Sequence, residues 1–143
     1  MTLLSLALYV VSLFNDAFYI DAPNPSALAP GWITLVAGPF ALFAGSWSQH
    51  ALAWLANPLM LGAWTTTAGG HRIQARIFAV LALLFMSSFL LQQSIITSTN
   101  GDFSKITGRG IGFWIWMLSG IVQVVASFLI NVERKAPDTQ PLA

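Results

Sequence analysis

Residues 32–67 read WITLVAGPFALFAGSWSQHALAWLANPLMLGAWTTT and contain no Asp, Glu, Lys or Arg. As one helix this stretch would be about 54 Å long, whereas the hydrocarbon core of a bilayer is about 30 Å thick. The polar residues 46–50 interrupt the apolar run, so we predict two membrane helices, at 31–47 and 50–68. The alternative is one spanning helix followed by a re-entrant or interfacial segment.

The composition of the whole chain is typical of a protein embedded in a membrane. Of its 143 residues, 56% are hydrophobic and 8% are charged, whereas an ordinary soluble domain has about 25% charged residues. So little polar surface cannot cover a water-soluble globule, which excludes a soluble enzyme and a disordered chain. The net charge of +1 provides no basic surface for nucleic acid, so no nucleic-acid partner is expected.

Three further apolar stretches, at 2–20, 74–98 and 111–132, are each long enough to cross a bilayer at about 20 residues per crossing. The predicted fold is therefore an all-α polytopic transmembrane helical bundle with five membrane helices, or four plus a re-entrant segment. We expect one transmembrane domain over residues 1–132 and a mobile cytoplasmic tail over 133–143.

The distribution of basic residues predicts the orientation, because cytoplasmic loops carry an excess of Lys and Arg. Four basic residues lie at one end of the predicted bundle and two at the other. The four are Arg72, Arg76, Arg134 and Lys135, and the two are Lys105 and Arg109. The C-terminus is thus expected to be cytoplasmic, with the N-terminus outside for five spans and inside for four. The spacing of Arg72 and Arg76 suits binding to lipid headgroup phosphates.

Polar residues recur every three or four positions in three of the predicted helices. This polar intramembrane stripe comprises Ser12, Asp16, Ser88, Gln92, Ser119, Gln123, Ser127 and Asn131. Such stripes arise from interhelical hydrogen bonds, each contributing about 0.6 kcal/mol, or from a polar path through the bundle. Asp16 is open to two interpretations, an interfacial carboxylate that snorkels to water or a carboxylate that carries protons or cations.

Small residues in the predicted helices indicate close helix packing. Ala37, Ala41 and Gly45 are spaced by four in one helix, and Gly112 and Gly120 lie beside the polar stripe of the last helix. Backbones approach one another closely at such positions.

Residues for catalysis or metal binding are scarce. Cysteine is absent and there are two histidines, whereas a zinc site needs three or four ligands. No nucleophile stands in a motif with a base, and we expect neither catalytic residues nor a cofactor.

Several short motifs carry a resemblance to a known group of proteins. They are Gly31-Trp32, Trp54-Leu-Ala-Asn57-Pro58-Leu59, Ser87-Ser88-Phe89-Leu90 and Gly112-Phe113-Trp114-Ile115-Trp116. This pattern resembles uncharacterised small multi-pass bacterial inner-membrane proteins with a Trp-x-Ala-Asn-Pro-Leu segment. The resemblance implies a bacterial inner-membrane location, with Asn57 satisfying a carbonyl freed by Pro58.

Together these features predict a non-catalytic integral inner-membrane protein that acts through intramembrane helix–helix interactions. Its partners would be the lipid bilayer and a membrane protein or a second copy of the chain. The most specific forms of this hypothesis are an immunity protein against a membrane-inserting toxin and an accessory subunit of a membrane complex. The alternative is a small transporter or channel with a polar path lined by helices one, four and five.

Overall fold

The computed structural model describes residues 1–21, 29–43, 49–96 and 103–129. In these ranges the helices are α1 (Thr2–Leu13), α2 (Gly31–Phe43), α3 (Gln49–Trp54), α4 (Ala56–Ala68), α5 (Arg72–Ser88) and α6 (Ile111–Phe128), and a 3-10 turn, Phe89–Leu91, follows α5. The strands are β1 (Asp16–Ile20), β2 (Ala29–Pro30), β3 (Ser94–Ile96) and β4 (Phe103–Arg109). The chain is mostly helical, as predicted, but the all-α expectation is wrong in that a small sheet is present.

Four of the helices, α1, α4, α5 and α6, pack side by side as an antiparallel bundle. α1 lies along α6, α4 lies along α5, and α5 contacts α6. Five fully buried alanines line the contacts: Ala56, Ala63, Ala75, Ala79 and Ala82. The flexible side chains of Met60 and Met86 fill the remaining space between them. The interior is built from small side chains, which allows the helix axes to approach closely.

The outer surface of the bundle carries the large apolar side chains. Exposed examples on the four bundle helices are Leu3, Leu61, Ile73, Leu84, Leu118 and Val125. A water-soluble bundle has the opposite arrangement, with such side chains facing its core.

Two helical segments are long and apolar enough to cross a membrane, Arg72–Leu91 and Ile111–Phe128. α1 and α4 have 12 and 13 residues and extend over only about 20 Å at 1.5 Å per residue. The expectation of five membrane helices is therefore not supported. It failed because the apolar stretches contain strands and turns as well as helix.

The stretch that was expected to form one helix over 50–68 is two helices, α3 and α4, separated by a turn at Leu55. Pro58 consequently lies in the first turn of α4 rather than inside a longer helix. A proline is tolerated there because the first backbone N–H groups of a helix have no partner within the helix. The interruption expected at 46–50 falls largely in residues 44–48, outside the described residues.

The sheet joins the ends of the bundle helices and has the strand order β2-β1-β4-β3. All neighbouring strands are antiparallel; Tyr19 pairs with Gly108, and Ser94 pairs with Lys105. Helix one was expected to continue to residue 20, but α1 ends at Leu13 and Asp16 begins β1. The aromatic and β-branched residues 18–20 suit a strand as well as an apolar helix, and pairing with β4 decides for the strand.

Arg109, in β4, connects the sheet to the end of α5. Its Nη2 donates to the carbonyl oxygens of Phe89 at 3.3 Å and Leu90 at 2.5 Å, with a longer contact to that of Gln92 at 3.5 Å. The last carbonyls of a helix lack partners within it, and a cation there also offsets the helix dipole. Arg109 is thus a cap for α5 and its 3-10 turn.

We expect Arg109→Ala to lower the free energy of unfolding by about 2 kcal/mol, because charged hydrogen bonds of this kind contribute about 1.5–3 kcal/mol. The measurement is denaturant unfolding in detergent micelles, followed by tryptophan fluorescence. Lys105→Ala is the matched control, since Lys105 is an exposed cation on the same strand. Equal losses for the two variants would show that Arg109 is not a cap.

Candidate functional site

A cavity of about 220 Å³ lies between the sheet and the bundle, and we call it the sheet-end cavity. Its walls come from the end of α1, the first half of α2, the junction of α3 and α4, and the start of α6. Aromatic rings form much of the lining: Phe18, Trp54, Phe89, Phe113 and Trp116. Among the described residues, the polar side chains on the wall are those of Ser12, Thr34 and Asn57, and no charged side chain lines it.

Trp54 attaches α2 to the end of α3 and so forms one wall of the cavity. Its indole Nε1 donates to the backbone oxygen of Leu35 at 2.9 Å. The ring lies directly over Gly38, where a Cβ atom would overlap it. The position of α2 thus depends on a residue without a side chain at 38 and a hydrogen-bonding ring at 54.

Asn57 lies on the first turn of α4 and connects the cavity to α1. Tyr9 donates its hydroxyl proton to Asn57 Oδ1 at 3.0 Å. The sequence predicted a hydrogen bond from Asn57 to a carbonyl freed by Pro58. Among the described residues the side chain of Asn57 makes no such bond, and Pro58, in the first turn of α4, frees no carbonyl of that helix. In the part of the chain that the structure describes, Asn57 Nδ2 donates no hydrogen bond.

A second polar contact joins α1, α4 and α6 deeper in the bundle. Trp64 Nε1 donates to Ser5 Oγ at 3.1 Å, and Ser5 Oγ donates to the carbonyl oxygen of Ser119 at 2.8 Å. Tyr9 packs edge-to-face on Trp64, with the ring centroids 5.1 Å apart. These contacts fix the relative positions of the three helices.

The serines of the predicted polar stripe bond mainly within their own helices. The hydroxyls of Ser12, Ser88, Ser119 and Ser127 donate to carbonyls three residues earlier, at 2.6 to 2.7 Å. Ser12, Ser119 and Ser127 are buried, and Ser12 also reaches the sheet-end cavity. Hydroxyls satisfied in this way pack as small residues and do not need water.

Gln123 is the most deeply buried amide of the stripe. It is 0% exposed, and its Nε2 donates to the carbonyl of Ala63 at 3.3 Å and to Thr67 Oγ1 at 2.9 Å. Its Oε1 is buried and has no hydrogen-bond partner in the described residues. Gln123 therefore joins α6 to α4.

Two further stripe residues, Asp16 and Gln92, do not lie on bundle helices. Asp16 begins β1, where the apolar stretch has already left α1, and Gln92 follows the 3-10 turn after α5. Asn131 lies outside the described residues. Because Asp16 is in a strand at the sheet end, its expected position on an intramembrane helix is wrong.

The small residues predicted to pack have different surroundings. Gly120 faces the Met86 sulfur, and Gly112 faces the backbone of Asn15 and Asp16. Ala37 is exposed at the edge of the sheet-end cavity. Ala41 belongs to α2 but its side chain is outside the described part of the structure, as is Gly45.

Arg72 and Arg76 lie in the first turns of α5, at the end of the bundle away from the sheet. The guanidinium carbon of Arg76 lies 4.7 Å from the centre of the Phe128 ring, a cation–π contact. The Nε atoms of both arginines are buried, without a hydrogen-bond partner in the described ranges.

Among the described residues there is no group of three or more His, Cys, Asp or Glu side chains that could hold a metal ion. The sheet-end cavity combines an apolar wall with one unused amide donor, an arrangement suited to binding rather than to bond cleavage. Sequence analysis did not identify the cavity or the contact between Tyr9 and Asn57. The available signal was the Trp54-Leu-Ala-Asn57-Pro58 segment, which places an indole and an amide one turn apart.

Comparison with models of protein families, with curated proteins and with solved structures finds no match to this chain. The resemblance to small bacterial inner-membrane proteins therefore stays a prediction from the motifs quoted above.

Proposed function

We propose that this chain is a non-catalytic multi-pass protein of the bacterial inner membrane that acts by contact with another membrane protein. The observation that carries the proposal is the inverted distribution of side-chain sizes. Most buried residues of the four bundle helices are alanine, serine or glycine, with Met60 and Met86 between them, whereas most of their leucine, isoleucine and valine side chains face outward. Lipid tails accommodate large apolar side chains, while small residues let helices pack in the membrane. In water, so much exposed apolar surface would cause aggregation.

In this proposal α5 and α6 cross the bilayer, the shorter helices α1 and α4 pack beside them within it, and the sheet lies at its outer surface. The end with Arg72 and Arg76 is cytoplasmic, in agreement with the excess of basic residues in cytoplasmic loops. These two arginines would contact anionic lipid headgroups there. The start of α5 and the end of α6, which meet where Arg76 contacts Phe128, would then both lie on the cytoplasmic side.

The outer face of α2 is the best candidate for the partner-binding surface. α2 packs mainly on α3, with smaller contacts to α1 and the first two strands. Its outer face exposes Trp32, Ile33, Val36 and Phe40, and Phe40 is 71% exposed. Aromatic side chains are enriched at protein interfaces. By contrast, Gly112 and Gly120 are already used inside the bundle and cannot receive a partner helix.

An immunity protein against a membrane-inserting toxin, or an accessory subunit of a membrane complex, fits a bundle of this kind. Either role needs a binding face and no catalytic group. The transporter alternative is less well supported, because Asp16 begins a strand and the stripe serines bond within their own helices.

We expect a photo-crosslinking amino acid at Val36 or Phe40 to give the same discrete protein adduct in the native membrane. The same probe at Leu84, which is also exposed but lies on α5, should give lipid adducts without that protein. Mass spectrometry of the adduct identifies the partner, and an adduct of twice the chain mass indicates a homo-oligomer. If position 84 captured the protein as efficiently as positions 36 and 40, α2 would not be the binding face.

A further inference from the structure

The lining of the sheet-end cavity indicates what kind of ligand can enter it. The wall is mostly aromatic and aliphatic and carries no charged side chain from the part of the chain that the structure describes. A phosphate, a nucleotide or a metal ion would have no counter-charge there, and taking such a group out of water is costly. The ligand is thus largely apolar where it contacts the protein.

The size of the cavity excludes a whole lipid but admits part of one. At about 220 Å³ it is larger than an apolar protein cavity of about 150 Å³, which stays dry and binds benzene. A short length of hydrocarbon chain fits this space. An empty apolar cavity of this volume forfeits many contacts, so a filled one is favoured.

The cavity opens at the surface of α2. Ala37 lines the cavity and is itself exposed, between the exposed Val36 and the half-buried Gly38 on α2. By contrast, Ala53 and Phe113 line the same cavity but are only 4% and 3% exposed. The cavity therefore extends from the surface of α2 to side chains that bulk lipid does not reach.

One polar side chain in the wall, that of the half-buried Asn57, has a donor available for a ligand. Asn57 accepts from Tyr9 through Oδ1, while its Nδ2 donates no hydrogen bond among the described residues. Ser12 and Thr34 already donate to backbone carbonyls, of Tyr9 and Gly31. A ligand with a carbonyl oxygen next to an apolar chain would satisfy this donor.

We propose that the sheet-end cavity binds one acyl chain of a phospholipid, whose ester carbonyl accepts a hydrogen bond from Asn57 Nδ2. The cavity lies at the ends of the helices next to the sheet, the depth at which ester groups occur in the leaflet on that side. The proposal rests on the membrane location proposed above and adds a specific lipid site to it. The bound chain fills the space between α2 and α6.

The test uses the full chain in vesicles of phosphatidylethanolamine and phosphatidylglycerol that contain a phosphatidylethanolamine with a diazirine in one acyl chain. After illumination, mass spectrometry locates the labelled residues. We expect label on Ala53 and Phe113, which only a lipid inside the cavity can reach. Leu118 faces outward and should be labelled in any embedded protein, whereas Ala79 is fully buried outside the cavity and should stay unlabelled.

Two pairs of variants separate the cavity from its surroundings. Ala37→Phe closes the cavity at the surface of α2 and should lower labelling of Phe113 at least fivefold, whereas Val36→Phe next to it should not. Asn57→Leu removes the donor and should lower labelling by about threefold to tenfold, the effect of one hydrogen bond. Tyr9→Phe removes the same contact to Asn57 but leaves Nδ2, and should keep the label.

The outcomes distinguish this proposal from the one on which it rests. One outcome is that Leu118 is labelled while Ala53 and Phe113 carry no more label than Ala79. This result would overturn the lipid site and leave the membrane location intact. Absence of label on Leu118 would overturn the membrane location and the lipid site together. Label on Phe113 that survives both Ala37→Phe and Asn57→Leu would also overturn the lipid site, because the labelling would then depend neither on the opening of the cavity nor on the proposed hydrogen bond.

Discussion

Gly112→Ala should lower the free energy of unfolding by about 3 kcal/mol, although it adds a single methyl group. A Cβ at this position would lie 2.7 Å from the carbonyl oxygen of Asn15 and 2.8 Å from that of Asp16. These are backbone atoms, and the Asn15 oxygen also accepts from the Gly31 N–H at 3.0 Å. The start of α6 and the backbone of Asn15 and Asp16 cannot move apart without disrupting the turn between α1 and β1. Overpacking of this kind costs about 1–3 kcal/mol or more.

The helical position of Gly112 makes this a strict test. Alanine is favoured over glycine within a helix by about 1 kcal/mol, so any net loss must come from the close approach. Denaturant unfolding in micelles measures the loss. Gly108→Ala is the matched control, because its Cβ would meet only the Tyr19 ring at 3.4 Å, an ordinary contact, and the change should stay within about 0.5 kcal/mol. Similar stability of both variants would contradict the close approach.

Three glycines make the same kind of contact around the turn that follows α1. A Cβ at Gly31 would lie 2.7 Å from the Ser12 oxygen, and one at Gly110 would overlap the Asp16 carbonyl. The start of α2, the end of β4 and the start of α6 therefore meet on one stretch of backbone. The sequence predicted helix–helix packing at Gly112, but a spacing of small residues does not reveal whether they approach a helix or a turn.

Hydropathy located the apolar stretches but not the secondary structure within them. Residues 16–20 and 94–96 belong to the same predicted apolar stretches as the helices that precede them, yet both form strands. Both strands pair with β4. β1 is distant from β4 in sequence, and such a contact leaves no local periodicity. β3 is close to β4 in sequence, but its three residues are too few to show an alternating pattern. By contrast, the predicted start of the last helix at Ile111 agrees with α6, because Gly108 and Gly110 break the chain just before it.

The sheet-end cavity could not be predicted because it exists only after distant segments have assembled. Its wall unites residues from α1, α2, α4 and α6 with the strands. The spacing of Ser12 within a polar stripe did place it on an inner face of α1, where it is buried. No spacing rule relates it to Thr34 or Asn57, whose positions depend on Trp54 holding α2 to α3.

Gln123→Glu should lower the free energy of unfolding by about 3–5 kcal/mol, the largest effect that we expect from replacing one polar group of the bundle. Gln123 is completely buried, and its Nε2 donates to the Ala63 carbonyl and to Thr67 Oγ1. A carboxylate would turn the donor facing the Ala63 carbonyl into a second acceptor. It would also bury a charge, which costs about 2.5–3.5 kcal/mol even for one on a membrane helix.

Two further variants separate the charge from the lost hydrogen bonds. Gln123→Leu removes both donated hydrogen bonds, but it also removes the buried Oε1, which has no hydrogen-bond partner in the described residues. We therefore expect it to lower the free energy of unfolding by only about 1–2 kcal/mol. Gln74→Glu is the matched control for the new charge, since Gln74 is exposed in the first turn of α5, where an acidic residue is favoured. In denaturant unfolding in micelles, Gln123→Glu should be much less stable than Gln123→Leu, and Gln74→Glu should be about as stable as the unchanged protein.

If Gln123→Glu unfolded no more readily than Gln123→Leu, the site would contain enough water to solvate a charge. The interior of the bundle would then be wet at the level of Thr67, which is what a polar path requires and what a packed interaction protein does not.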